Sequence, residues 1–96
     1  MIYLFIGEDS LSKDIQLKKI KQEYLGKGTE QFNLDVLYAK EIILKTLQET
    51  LLRLPANNPK RIVVIKDAEY LKEDSKEFLL KYAKSPYKQV VLVLDI

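Results

Sequence analysis

Four short apolar runs separated by longer amphipathic stretches constrain this chain more than any other feature. Residues 2–6 (Ile-Tyr-Leu-Phe-Ile), 62–65 (Ile-Val-Val-Ile) and 90–94 (Val-Val-Leu-Val-Leu) are continuously apolar. Phe32, Leu34, Val36 and Tyr38 alternate with Asn33, Asp35 and Leu37, the pattern of a strand with one wet face. Runs of this length suit strands, and the segments between them suit helices. Ser10 or Ser12 caps a first helix running to about Leu25, with Asp14 in its first turn and Ile15, Leu17, Ile20 and Tyr24 facing inward. Lys13, Lys18, Lys19 and Lys21 mostly point outward from it, and Gly26 and Gly28 end it. A second helix from Ala39 to Leu54 buries Ile42, Ile43, Leu47, Leu51 and Leu54, and Pro55 and Pro59, flanking two asparagines, force a loop. Asp74 and Glu77 have capping-box spacing for a third helix to about Lys84, with Phe78, Leu79 and Tyr82 inward.

Strand and helix alternation with connections this short predicts an α/β fold. The expected architecture is a three-layer αβα sandwich with a mostly parallel sheet of about four strands and three helices. The second strand reads as an edge, and one of the three fully apolar runs has to form the other. The chain stops directly after a strand, so we expect residues 1–96 to be one domain of a longer protein. The exposed edge of the first strand is then expected to promote self-association.

Ninety-six residues make one domain that buries roughly 60–65% of its unfolded surface. Sixteen basic and 14 acidic residues leave a net charge of +2, with no bulk field favouring nucleic acid or a membrane. The absence of cysteine and histidine excludes disulfides, thiolate or imidazole metal sites, and Ser-His or Cys-His nucleophile systems. A cytoplasmic location is expected, since nothing suggests an oxidising compartment; the first apolar run is also too short to span a membrane, and no basic region precedes it.

The first strand ends in a glycine that opens a helix, the place where a phosphate-binding loop would sit. The spacing of G-x-x-x-x-G-K-[ST] is kept from Gly7 to Asp14, but Ser12 replaces the second glycine and Asp14 the magnesium-binding hydroxyl. Lys13 stands at the lysine position, opposed by Glu8, Asp9 and Asp14. Gly7, Ser12, Lys13 and Asp14 therefore read as a degenerate phosphate loop, with no cofactor, metal or catalytic residue expected.

In order and spacing the whole chain resembles the N-terminal domain of the delta subunit of bacterial DNA polymerase III, an AAA+-type clamp-loader family. The resemblance is carried by residues 2–6 with Gly7, Glu8 and Asp9, by the helix after them, and by residues 61–69 (Arg-Ile-Val-Val-Ile-Lys-Asp-Ala-Glu). Residues 78–82 (Phe-Leu-Leu-Lys-Tyr) and 90–94 complete it. It implies the AAA+ strand order 5-1-4-3-2, with the second strand at an edge and the first covered by a fifth. It also implies a non-hydrolysing subunit that binds and opens the sliding clamp beside other clamp-loader subunits and meets DNA only through the complex. No membrane and no small-molecule substrate are expected. Lys66-Asp67 stands where an active relative carries Asp-Glu, and Leu94 where it carries a polar sensor. The family's clamp contact aligns with Leu54, Pro55, Ala56 and Asn57, and Leu51 and Leu52 are alternative anchors; Ala56 and Asn57 replace the large apolar residues that the family often uses. The same sequence admits two other classes, a divergent phosphate-loop ATPase and a small α/β protein-interaction module.

Overall fold

The computed structural model describes residues 1–96. Four strands, β1 (Ile2–Phe5), β2 (Leu34–Tyr38), β3 (Arg61–Lys66) and β4 (Val90–Asp95), form one parallel sheet in the order β1-β4-β3-β2. This is the expected 5-1-4-3-2 order without its first member. The register places Ile2 opposite Leu92, Arg61 opposite Val90 and Leu34 opposite Ile62.

The helices are α1 (Ser10–Tyr24), α2 (Glu30–Asn33), α3 (Leu44–Leu52) and α4 (Glu73–Lys84), with a 3-10 turn at Ala68–Tyr70. Because strand side chains alternate faces, the continuous apolar runs feed both sides of the sheet. Ile62, Val64, Val91 and Val93 pack with Ile20 of α1 on one side. Val63, Ile65, Val90 and Leu92 pack with Leu47 and Leu51 of α3 and with Leu79 and Tyr82 of α4 on the other. The three-layer sandwich is the predicted one.

Local details depart from the sequence reading. The cap of α1 is Asp9, whose carboxylate accepts from the Ser12 N–H at 3.1 Å and the Ser12 hydroxyl at 2.7 Å; neither Ser10 nor Ser12 is the cap, and Asp14 lies past the first turn. Ile15 is exposed and Lys13 is not, because the first turn leans its lysine back over the sheet. The predicted box at Asp74 and Glu77 does not form; Lys72 precedes α4 without a side-chain cap, and Asp74 accepts from the adjacent Ser75 N–H. Chain turns at 39–43 replace the start of the second predicted helix, leaving Ile43 exposed although Ile42 is buried.

Strand β2 has its wet face on the side opposite to that expected. The strand starts only at Leu34, because Phe32 and Asn33 lie in α2; within it Val36 and Tyr38 are exposed, whereas Leu37 packs against the main core. A single helix covers the side to which Val36 and Tyr38 point, and it packs over β3 rather than over this edge. At the other edge Leu4 and Ile6 are exposed. An apolar groove of about 340 Å3 runs from β1 to α4, between Ile2, Leu94 and Leu80.

Candidate functional site

Parallel strands give the sheet two chemically distinct ends. The turn from β1 into α1, residues 7–14, lies at the C-terminal ends of the strands, and the α3–β3 connection, residues 53–60, lies at the N-terminal ends. A six-residue strand separates them, roughly 20 Å at about 3.3 Å per residue. The sequence-predicted residues therefore fall into two separate regions.

At the C-terminal end, Gly7 has φ +109°, a backbone that any residue with a Cβ strongly resists, and it turns the chain from β1 into α1. Lys13 then reaches across to β4. Its Nζ lies 2.6 Å from Asp95 Oδ1 and donates to the Ile96 carbonyl at 2.9 Å. Lys66, at the end of β3, donates to Asp95 Oδ2 at 3.3 Å. One carboxylate thus bridges two ammonium groups, and both lysines are more than two-thirds shielded from solvent. Asp9 and Ser12 are bonded to one another as the helix cap, and these bonds hold the Asp9 carboxyl below its ordinary range. The adjacent hollow, bordered by Phe5, Ile6, Asp9 and Lys13, measures about 220 Å3, below the ~300–1,000 Å3 of typical small-molecule sites. Asp67, in the left-handed region at φ 54°, turns β3 into the 3-10 segment. Lys13 and Lys66 are thus paired with Asp95, and Asp9 with Ser12.

The N-terminal end is built differently. Leu51 is 0% exposed within the core, so of the predicted anchors it is not presented to a partner. Leu52 and Leu54 are exposed, Leu54 at 70%; Leu54 is therefore not the core residue that the helical pattern predicted, because α3 ends at Leu52. Pro55 is half-buried, and Ala56 and Asn57 are exposed, with Asn57 at φ 53°.

Several polar side chains that pattern reading passed over fix this end. Arg61 is 0% exposed; its guanidinium donates to the Thr50 carbonyl at 2.6 Å and forms an ion pair with Asp35. Arg53 also approaches Asp35, at 3.5 Å. Desolvation lowers the Arg61 pKa, since a buried cation favours losing its charge. The Asn33 amide bonds both backbone groups of Ala56, and Asn58 ties the loop to the end of α1. Asparagines in a Pro-Ala-Asn-Asn-Pro loop signal a turn in sequence, but not which distant backbone they hold.

No protein-family model matches the sequence, and no curated protein matches it. Solved structures do. The chain is similar to the DNA clamp loader delta protein of Bacillus subtilis, with a TM-score of 0.82 and 21% identity, over 98% of this chain and 30% of that one. It is also similar to a DNA polymerase III gamma subunit-related protein of Thermotoga maritima, with a TM-score of 0.69 and 20% identity, over 99% of this chain and 34% of that one. At these identities the likeness is one of fold, and this chain spans about a third of the length of either structure. No helix is long and apolar enough to cross a membrane.

Proposed function

We propose that this chain is the AAA+-like N-terminal domain of a clamp-loader subunit of the delta kind. On this reading it binds the sliding clamp of the replicative polymerase and helps hold it open, acting with other clamp-loader subunits and without hydrolysing ATP. The observation that carries the proposal is the fold likeness, over almost the whole chain, to a protein described as a DNA clamp loader delta protein. Two features of the residues agree with it. Lys13 and Lys66 are both committed to Asp95 rather than free for phosphate. Leu52 and Leu54 are large apolar side chains held in water at the opposite end of the sheet.

The mechanism is one of contact rather than chemistry. Leu54, with Leu52 beside it and Pro55 stiffening the turn, enters an apolar pocket on the clamp surface, and the energy of that contact stabilises the open ring. Ala56 and Asn57 contribute little apolar area, so the interface is concentrated on the two leucines. Isothermal titration of this chain with a bacterial sliding clamp tests the proposal. Binding in the micromolar range or tighter is expected, with Leu54→Ala weakening it by about 2 kcal/mol, as for a central anchor. No binding by the folded chain would overturn it.

A further inference from the structure

Leu54 poses a physical question. An isolated leucine on a free loop gains by folding back onto the nearest apolar surface, yet this one stays 70% exposed directly after a helix whose inner face is fully buried. Named side chains hold the backbone of the loop that carries it.

Asn33 is 0% exposed. Its Oδ1 accepts from the Ala56 N–H at 2.7 Å, and its Nδ2 donates to the Ala56 carbonyl at 2.7 Å and to the Thr29 carbonyl at 3.2 Å. A side-chain amide that exchanges both bonds with one residue acts as a neighbouring strand would, fixing the position and rotation of that residue. Two residues further on, Asn58 repeats the device from the other side. Its Oδ1 accepts from the Gly26 N–H at 2.9 Å, and its Nδ2 donates to the carbonyls of Tyr24 at 2.8 Å and Lys60 at 2.6 Å. Upstream, Arg61 donates to the Thr50 carbonyl and secures the end of α3. Leu54 and Pro55 therefore lie between two fastened points, Thr50 and Ala56.

We infer that Asn33 is a positioning residue for the partner contact: it never touches the partner, but holds residues 54–56 so that Leu54 stands ready as a rigid apolar anchor. The identity of the partner rests on the proposed function; the holding role rests on the hydrogen bonds alone. A rigid anchor binds more tightly because its loop has already lost the freedom that a flexible loop surrenders on association.

Amide hydrogen exchange and clamp titration on Asn33→Ala, with Pro55→Gly as a second variant, test this. Pro55→Gly loosens the loop from within while leaving Leu54, Asn33 and the core unchanged. Expected results are faster exchange at Ala56 in Asn33→Ala, unchanged protection at Val63 and Val64, and about tenfold weaker clamp binding in both variants, lost in the entropy of binding. Unchanged exchange at Ala56 would overturn the holding role. Faster exchange with undiminished clamp affinity would overturn the positioning role while leaving the proposed function in place. Should Asn33→Ala unfold, full affinity in Pro55→Gly with a loosened loop overturns the positioning role by itself. A folded, unaltered chain that does not bind the clamp overturns the proposed function and the positioning role with it, while the exchange result still decides whether Asn33 holds the loop.

Discussion

Replacing Asp35 by alanine probes the one fully buried cation of the chain. Arg61 is 0% exposed, and its positive charge is balanced by Asp35, itself 29% exposed and shared with Arg53. Breaking a buried ion pair from one side typically costs about 3–5 kcal/mol, because the remaining charge stays out of water. Two features reduce that figure here. Asp35 is partly solvated, so the pair was never wholly in a low-dielectric interior, and the guanidinium keeps its bond to the Thr50 carbonyl. We therefore expect Asp35→Ala to cost about 2–3 kcal/mol. Arg61→Met is expected to cost only about 1 kcal/mol, since Asp35 retains solvent and Arg53. The double variant Asp35→Ala/Arg61→Met should recover most of the loss, because an apolar pair replaces a cation without its partner. Urea unfolding is the assay: with a slope near 1.2 kcal/mol/M for a chain of this size, the midpoint of Asp35→Ala should fall by roughly 2 M. A loss below about 1 kcal/mol for Asp35→Ala, or no recovery in the double variant, would refute the reasoning that the buried charge depends on Asp35.

Three further outcomes follow from the geometry. Asp95→Asn should lower stability by about 1–2 kcal/mol, between surface and buried ion-pair values, by releasing Lys13 and Lys66; calorimetry with ATP should detect no affinity in the unaltered chain, and binding that weakened on Lys13→Ala would instead support the divergent ATPase. Leu51→Ala should cost about 3 kcal/mol in chemical unfolding, while Leu54→Ala changes stability by less than about 0.5 kcal/mol, which separates a core leucine from a presented one. The Asp9 carboxyl is lowered chiefly by the Ser12 hydroxyl, then by the Ser12 N–H. Its contribution to α1 is therefore complete above the ordinary value of 3.8 and is lost as pH falls through the lower folded value; circular dichroism across that acid range should show a loss of helix that Asp9→Ala lacks.

The architecture was legible because it follows from short-range rules. Apolar runs at 62–65 and 90–94 suit strands buried on both faces, and short strand–helix connections favour parallel neighbours. The departures of residues 7–14 from a phosphate-loop pattern were equally legible, since Ser12 and Asp14 are read directly from the sequence. The sequence did not disclose where those residues spend their charge. Lys13 reads as a solvated helix lysine, and only the crossing of β4 beside α1 brings Asp95 within 2.6 Å, from 82 residues away in sequence.

The same division governs the candidate contact. That a proline-bounded loop would follow α3 was determined by residues 55–59 themselves. Which leucines stayed in water was not, because helical spacing gave Leu51 and Leu54 the same inward phase. The helix stops at Leu52, so Leu54 leaves that phase, and the tertiary bonds from Asn33 and Arg61 fix it facing solvent. By itself the sequence determined the strands, the α/β layering and the departures of residues 7–14 from a phosphate-loop pattern, since these depend on near neighbours and on residue types. The tertiary structure alone decided the pairing of Lys13 and Lys66 on Asp95 and the outward leucine, since each depends on groups that meet only once the sheet is assembled.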